Sequence, residues 1–572
     1  MSRDRSRDHE GAPSGGPDDA AGEASVVSHH TLILGAGPGG LQLAYFLQKS
    51  GSDYLVLEGA DGVGDFFRRM PRGRKLISFN KRHSIYDDPE VRLRWDWNSL
   101  LTDDYGRPFR EVSKALYPDA DDLVRYLEAF AEAGDLAIRT KTRIARVARA
   151  DDGGFELTDT SGTRFRCRVL VVATGFSRPY VPDIPGIDLC EDYETVSQDP
   201  DDFEEQRVLI LGKGNSALET ADVMLDTAAL IHVASPTPVR LAWQTRHPGD
   251  LRAHHTRLMD MYQLKTLNGA LDCHVRDIRE DDDGRFVVTV DYIHADGEVE
   301  ELVYDRVIRC TGFRVDRSIY ADGCLPDTVH EGRLPAIKGL WESANVPDLF
   351  FAGTLMQGLD FKRSSSAFID GFRYNVRTLH RHLLERYEGQ AAPVIRLAAG
   401  AEALRRHVIA RACRTSALWT QFGYLCDLIL VDPGVADGGE PGAELGARHG
   451  SGEATVQEEL PVHHVESLLA DHDHAYTLTF EWGPWDGDVF QIERHPRHDT
   501  AHTNVFLHPI VRRWRRGELV AEHHVLEDLF GTYAAAGERG AVRRRSGRDM
   551  ETYHREEHEQ PLEAFFAAQL AG

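Results

Sequence analysis

Residues 31–34 (TLIL) form a short apolar run that breaks into glycine, and apolar positions then recur at helical spacing through residue 47. So short a run, bounded by turn residues, predicts a buried strand, and the period that follows predicts a helix packed on it. A second buried strand follows at Tyr54 to Leu57. The same order returns at residues 207–219 (RVLILGKGNSALE), with its next strand at Leu230 to Ala234. Three further strands run into glycine, at Val169 to Phe176, Arg306 to Phe313 and Leu349 to Thr354. The last precedes a helix over Phe368 to Leu383. Strands alternating with helices predict an α/β chain. Two Rossmann-like dinucleotide-binding domains are expected, the first interrupted by the second, followed by an α+β C-terminal extension. In that extension YTLTFEW (Tyr476 to Trp482) alternates as a half-buried strand does.

The two glycine turns carry the candidate chemistry. The first reads Gly35-x-Gly37-x-x-Gly40. Gly35 permits the tight turn, Gly37 lets the backbone approach a pyrophosphate, and Gly40 allows close helix–strand packing. The helix start then offers N–H groups to the anion. Eighteen positions after Gly40 the next strand ends in Glu58, placed to accept from a ribose hydroxyl. These residues predict an FAD site. The second turn reads Gly212-x-Gly214-x-x-Ala217, with Asn215 and Ser216 opening its helix. Its next strand ends in Ser235 rather than an acid, and Arg240 and Arg246 follow. A carboxylate there would repel a 2′-phosphate, whereas serine and arginine favour one, so NADPH is expected over NADH.

Apolar residues make up 41% of the 572 positions, enough for several sizeable cores. Acidic residues number 92 against 66 basic ones, and a formal charge of −26 argues against nucleic acid or anionic membrane as partners. No apolar run approaches the roughly 18 residues of a membrane span. The first 28 residues lack the apolar core of a secretory signal and read as a disordered tail. The seven cysteines are dispersed without a C-x-x-C pair, so a cytoplasmic protein with neither zinc ribbon nor redox disulfide is expected. Ten histidines between His463 and His524 match no ligand spacing, and no metal is expected. The expected organisation is a tail (1–28), an FAD domain in two parts (29–205 and 313–390) and an NADP domain (206–312). A helical extension (391–430), a Gly/Pro/Ala-rich linker (431–458) and the C-terminal extension (459–572) complete it.

One segment contradicts the global charge. Residues 68–83 (RRMPRGRKLISFNKRH) hold seven basic side chains and no acid. The segment reads as an anionic pocket for substrate carboxylates or NADP phosphates, or else as a loop paired to the acidic body.

The order of motifs resembles that of the flavin-dependent monooxygenases. Within that group the strings RGRKLISFNKRH, RWDWNSLL (Arg94 to Leu101), ILGKGNSALETA, YDRVIRCTGF and NVFLHPIVRRW (Asn504 to Trp514) are similar to an FAD-dependent oxidoreductase of the endoplasmic reticulum. They also resemble bacterial N-oxygenating enzymes, among them nitrosuccinate-forming L-aspartate N-monooxygenases. The resemblance covers nearly the whole chain from residue 30 onward. It implies FAD and NADPH as cofactors, dioxygen as co-substrate, and crossings between the two domains at Thr174-Gly175 and Thr311-Gly312. Disulfide reductases of this architecture carry Gly-Asp where this sequence has Gly353-Thr354, which argues against that branch and leaves Gly353 and Thr354 as FAD contacts. The resemblance also places Asn80 near the flavin and nicotinamide, as the residue stabilising the oxygenated flavin. The implied reaction is N-oxidation of the amine of a small acidic amino acid, L-aspartate toward nitrosuccinate. Its carboxylates would be met by Arg72, Arg74, Lys75, Arg82, Lys362 and Arg363. Oxygenation of a carbonyl or sulfur centre, and a non-catalytic interaction protein on the flavin fold, are the alternatives. A homodimer is left open.

Overall fold

The computed structural model describes residues 26–69, 73–432, 452–485, 487–488, 491–494, 497–534 and 544–571. Two seven-stranded sheets form the nucleotide halves. In the first, strand Val27–Leu34 lies between Tyr54–Leu57 and Arg164–Val172 and runs parallel to both. Strand Leu349–Phe351 joins in parallel at Leu170 to Val172. Leu32, Ile33 and Leu34 are at most 2% exposed, as expected of parallel strands covered on both faces. Helix Pro38–Ser50 starts with proline in its first turn and ends at left-handed Gly51, the usual polarity of stop and start residues. The longer helix Ile369–Glu388 packs beside it.

The second sheet repeats the plan, with Arg207–Leu211 parallel to Leu230–Ser235 on one side and Arg306–Arg309 on the other. Its far edge is the short strand Glu191–Asp192, so this half recruits residues well before the expected boundary at 206. The reason is burial. Ile187 and Cys190 cover Leu209 and Leu211, which would otherwise leave one face of the sheet bare.

The C-terminal part corrects the expected boundaries further. A six-stranded antiparallel sheet runs in the order Ile395–Ala398, Glu453–Pro461, Leu425–Asp432, Ala475–Glu481, His508–Arg515, Glu518–His524. Residues 391–430 are therefore not a helical extension alone: helix Ala401–Arg414 leads into a strand at the heart of this sheet. That strand, LCDLILVD, is buried along almost its whole length, which a central position with two partners requires. The expected linker 431–458 likewise gives way to strand from Glu453, while residues 433–451 lie outside the described residues. At the other end, Val27 and Ser28 of the expected tail already pair in the first sheet, and residues 1–25 lie outside the described residues.

The C-terminal sheet is clasped to helix Ile369–Glu388 through one carboxylate. Glu459, 2% exposed, meets Arg377 at 2.5 Å, Arg381 at 3.5 Å and Arg411 at 3.1 Å. Burial works against its ionisation, yet the three guanidinium groups hold its pKa down at about 2. Among the described residues no helix is long and apolar enough to cross a membrane.

Candidate functional site

The first glycine turn sits where strands Val27–Leu34 and Arg164–Val172 end. Gly35 has φ +101°, and a β-carbon there would stand 2.8 Å from the Ala173 carbonyl and 3.3 Å from the Thr174 α-carbon. At Gly40 a β-carbon would fall 2.0 Å from the Gly35 carbonyl oxygen. Gly37, between them, faces nothing within 4 Å. Two walls are thus packed and the middle of the turn is open, at a helix start that no side chain caps. Such a start leaves its first N–H groups for an anion. Glu58 is held beside it: Oε2 accepts from the Ala36 N–H at 2.7 Å and Oε1 from Ala60 at 2.9 Å. Gly175 and Thr354 come together from the two flanking strands, with a β-carbon on Gly175 lying 3.5 Å from the Thr354 hydroxyl. Gly353 in turn lies against the backbone of Gly39. Gly35, Gly37, Gly40, Glu58, Thr174, Gly175, Gly353 and Thr354 therefore share one rim at the carboxyl ends of the strands, the place where open α/β sheets take ligands.

The second turn is built alike. Gly212 has φ +127°, and a β-carbon there would stand 2.3 Å from the Cys310 carbonyl oxygen, whereas Gly214 faces nothing within 4 Å. Its helix, Asn215–Met224, also has no side-chain cap. The Asn215 amide donates to the carbonyls of Gly249 (3.2 Å) and Asp250 (3.0 Å), and its oxygen accepts from the Arg252 N–H at 3.0 Å. Ser216 lines a cleft with Tyr180, Thr311 and Gly312, and the Thr311 hydroxyl donates to the Tyr180 carbonyl at 2.5 Å. Ser235 caps its own turn by donating to the Thr237 carbonyl at 3.0 Å. Arg240 stays 59% exposed, 3.8 Å from Asp250. Arg246 is directed elsewhere: its guanidinium stacks on Trp482 (4.7 Å) and Trp485 (5.1 Å) of the C-terminal part.

Of the two readings of the basic segment, the ion pairs favour the loop paired to the acidic body. Arg68 pairs with Glu128 at 2.5 Å, Arg74 with Asp121, and Lys75 with Asp119 at 2.6 Å. Asp119 and Asp121 stand at the start of helix Ala120–Ala133, where negative charge also suits the helix N-terminus, and Glu128 lies further along it. Arg69 pairs with Asp65 at 2.8 Å, and Arg82 donates to the Arg110 carbonyl at 3.1 Å. Five of the segment's basic residues, Arg68, Arg69, Arg74, Lys75 and Arg82, are thus engaged within the fold, while Lys81 is exposed. Of the other proposed substrate contacts, Lys362 pairs with Asp250 at 3.2 Å, Arg363 is exposed, and Arg72 lies outside the described residues. Asn80 is buried and donates to the carbonyls of Ser113 (2.8 Å) and Ala115 (3.2 Å). Both amide hydrogens are thus engaged, leaving only its oxygen to offer a ligand.

What lies between the two turns was hidden in the sequence. Arg252 is 6% exposed and reaches from the second half into the first, where its Nη1 donates to the Ile77 carbonyl at 2.8 Å. Its guanidinium covers the rings of Phe79 (4.5 Å) and Trp97 (5.3 Å), which themselves touch at 5.1 Å. Tyr117 packs on Phe79 and stacks on His254 at 4.4 Å. Glu219 locks the basic segment to the second half by accepting from the Gly73 N–H (2.9 Å) and the Tyr193 hydroxyl (2.7 Å). At the start of helix Ile369–Glu388, burial pushes the Asp370 carboxyl up to about 7. Nothing in the HPGDLRAHH stretch marks Arg252, because its partners come from segments 150 or more positions earlier.

The comparisons with known proteins agree with this plan. Residues 32–353 match the family model described as pyridine nucleotide-disulphide oxidoreductase. The chain is 36% identical over 557 residues to FAD-dependent oxidoreductase domain-containing protein 2 of Mus musculus, covering 88% of this chain and 81% of that protein. The Danio rerio protein of the same name is 38% identical over 456 residues, covering 72% of this chain and 66% of its own length. Senecionine N-oxygenase of Tyria jacobaeae is 25% identical over 345 residues, 58% of this chain and 68% of that protein.

Proposed function

Because the chain belongs to the pyridine nucleotide-disulphide oxidoreductase family of flavoproteins, we propose that it is an NADPH- and FAD-dependent monooxygenase. The observation that carries this reading is the pair of open glycine cradles, Gly37 and Gly214, each walled by packed glycine and each at an uncapped helix start. Gly35 to Gly40, Glu58, Thr174, Gly175, Gly353 and Thr354 would hold FAD, and Gly212 to Ser216, Ser235, Arg240, Thr311 and Gly312 would hold NADPH. When bound, the two nucleotides supply hydride transfer and the activation of dioxygen. The chain's own task is to orient them, keep water out and hold the substrate between the halves.

Thiol chemistry fits less well. Burial pushes all seven cysteine thiols above their ordinary range, Cys310 beside the second cradle to about 12. A suppressed thiolate is a poor nucleophile. The substrate we propose is the amine of a small acidic amino acid, L-aspartate, oxidised in successive steps toward nitrosuccinate. N-oxygenation is supported by the named activity of the Tyria jacobaeae relative. The test is NADPH oxidation by the FAD-loaded protein over a panel of amino acids, carbonyl compounds and thioethers, with product identification. Acceleration by L-aspartate with an N-oxygenated product is expected; acceleration by carbonyl or sulfur substrates alone would overturn the nitrogen assignment.

A further inference from the structure

Arg252 is a largely buried cation most of whose side-chain donors are unengaged among the described residues. A guanidinium carries five N–H donors in a planar fork. Here one donor goes to the Ile77 carbonyl, and no other hydrogen bond from the side chain is made among the described residues. No carboxylate among the described residues is in ion-pair contact with it. Asp370 acts on it through space, yet that carboxyl is buried and resists ionising. Taking a charge out of water without a paired, hydrogen-bonded counterion is costly. The other buried arginines among the described residues are more fully engaged: Arg94 donates to three carbonyls, Arg373 to the carbonyls of Ser99 and Leu93, and Arg513 to the Trp514 carbonyl and the His474 ring.

The stacking on Phe79 and Trp97 supplies the second half of the argument. Rings against its face fix the plane of the guanidinium and leave its edge as the reactive part. An edge so presented suits a planar anion with two oxygens, bound by parallel N–H···O contacts. The backbone of Arg252 is anchored at the second cradle by Asn215, but the side chain leaves it for the FAD half. It therefore bridges the two halves rather than turning into the second cradle.

We propose that Arg252 is the carboxylate receptor of the substrate site, binding a small carboxylate-bearing molecule edge-on while Phe79 and Trp97 hold its plane. This rests on the monooxygenase reading for the site's location and replaces the basic segment as the source of the positive charge.

The test is isothermal titration of the purified, FAD-loaded protein with succinate, L-aspartate and NADP+, using wild type, R252Q, R252K and the exposed-pair control R69Q. Succinate and L-aspartate are expected to bind wild type and R69Q alike, and R252Q about tenfold or more weakly. R252K, which keeps the charge but loses the fork, falls between. NADP+ affinity changes less than about threefold in R252Q. Should R252Q fail to fold, R252K must still weaken succinate. The proposal is overturned if wild type ignores succinate, if both Arg252 variants bind it like wild type, or if R252Q weakens NADP+ as much as succinate. Because heat is read whether or not the flavin turns over, a protein that binds succinate through Arg252 but never oxidises NADPH loses only the monooxygenase reading. One that N-oxygenates an amino acid independently of Arg252 loses only this proposal.

Discussion

A β-carbon on Gly39 would stand 2.5 Å from the α-carbon of Gly353. The helix that begins the first nucleotide cradle and the turn after strand Leu349–Phe351 thus meet backbone to backbone, across more than three hundred positions of sequence. No flexible side chain stands between them to yield. The rim of the first cradle is closed by a contact that a side chain at position 39 would break.

The contrast with Gly37 gives the first prediction. G39A forces backbone apart and is expected to cost about 1–3 kcal/mol of stability together with loss of flavin. G37A meets no protein atom, so its melting temperature should stay near wild type while its β-carbon fills the cradle and flavin content falls. Thermal melts and the yellow absorbance of the purified proteins separate the two. Equal destabilisation by both substitutions would refute this account.

Coenzyme choice supplies the second. S235D places a carboxylate beside the expected 2′-phosphate, and the ratio of kcat/KM for NADPH over NADH should fall about tenfold or more, by like-charge repulsion. Steady-state kinetics with both coenzymes is the measurement. An unchanged ratio would move the phosphate elsewhere.

The third concerns pH. Asp370 titrates near 3.8 when unfolded and near 7 in the folded protein, raised by burial. Its folded form keeps the proton longer, so the carboxyl is no burden below both values and destabilises increasingly as pH rises between them. D370N removes that burden. Its melting temperature relative to wild type should therefore climb from about pH 5 to pH 8. A difference that does not vary with pH would show that Asp370 ionises freely.

Glu459 behaves oppositely. Its folded pKa is depressed to about 2 from 4.5, so its stabilising contribution is present above the unfolded value and lost as pH falls toward 2. E459Q leaves three arginines around an uncharged amide and should cost about 3 kcal/mol near neutral pH. Urea unfolding at neutral and acid pH tests both parts: the gap between variant and wild type must narrow as the acid limb is reached.

Glycine turns were legible in the sequence because their geometry leaves little choice: Gly35 and Gly212 combine a left-handed backbone with a carbonyl where a β-carbon would go. The strands leading into them were legible for a related reason, being too short and too apolar to be anything else. The two readings of the basic segment could not be separated in the sequence because its counter-charges, Asp119, Asp121 and Glu128, come some forty to sixty positions later. Charge balance is a property of folded neighbours, not of a window of chain. Strand Leu425–Asp432 was absorbed into a helical extension since it follows helix Ala401–Arg414 closely and its partners lie beyond the glycine-rich stretch. Arg252 gave no local signal at all, for the carbonyl and rings that engage its side chain lie 150 or more positions earlier.

Asp432 pairs with Glu453, so the chain leaves the C-terminal sheet and returns to it on neighbouring strands. A cut between those two residues would fall within no strand of the described residues. The protein could then be assembled from two polypeptides expressed side by side, with the downstream piece labelled independently of the nucleotide halves. Conversely, a truncation that stops at residue 432 would expose both edges of a buried strand, and such a fragment is expected to aggregate rather than stand as a smaller enzyme.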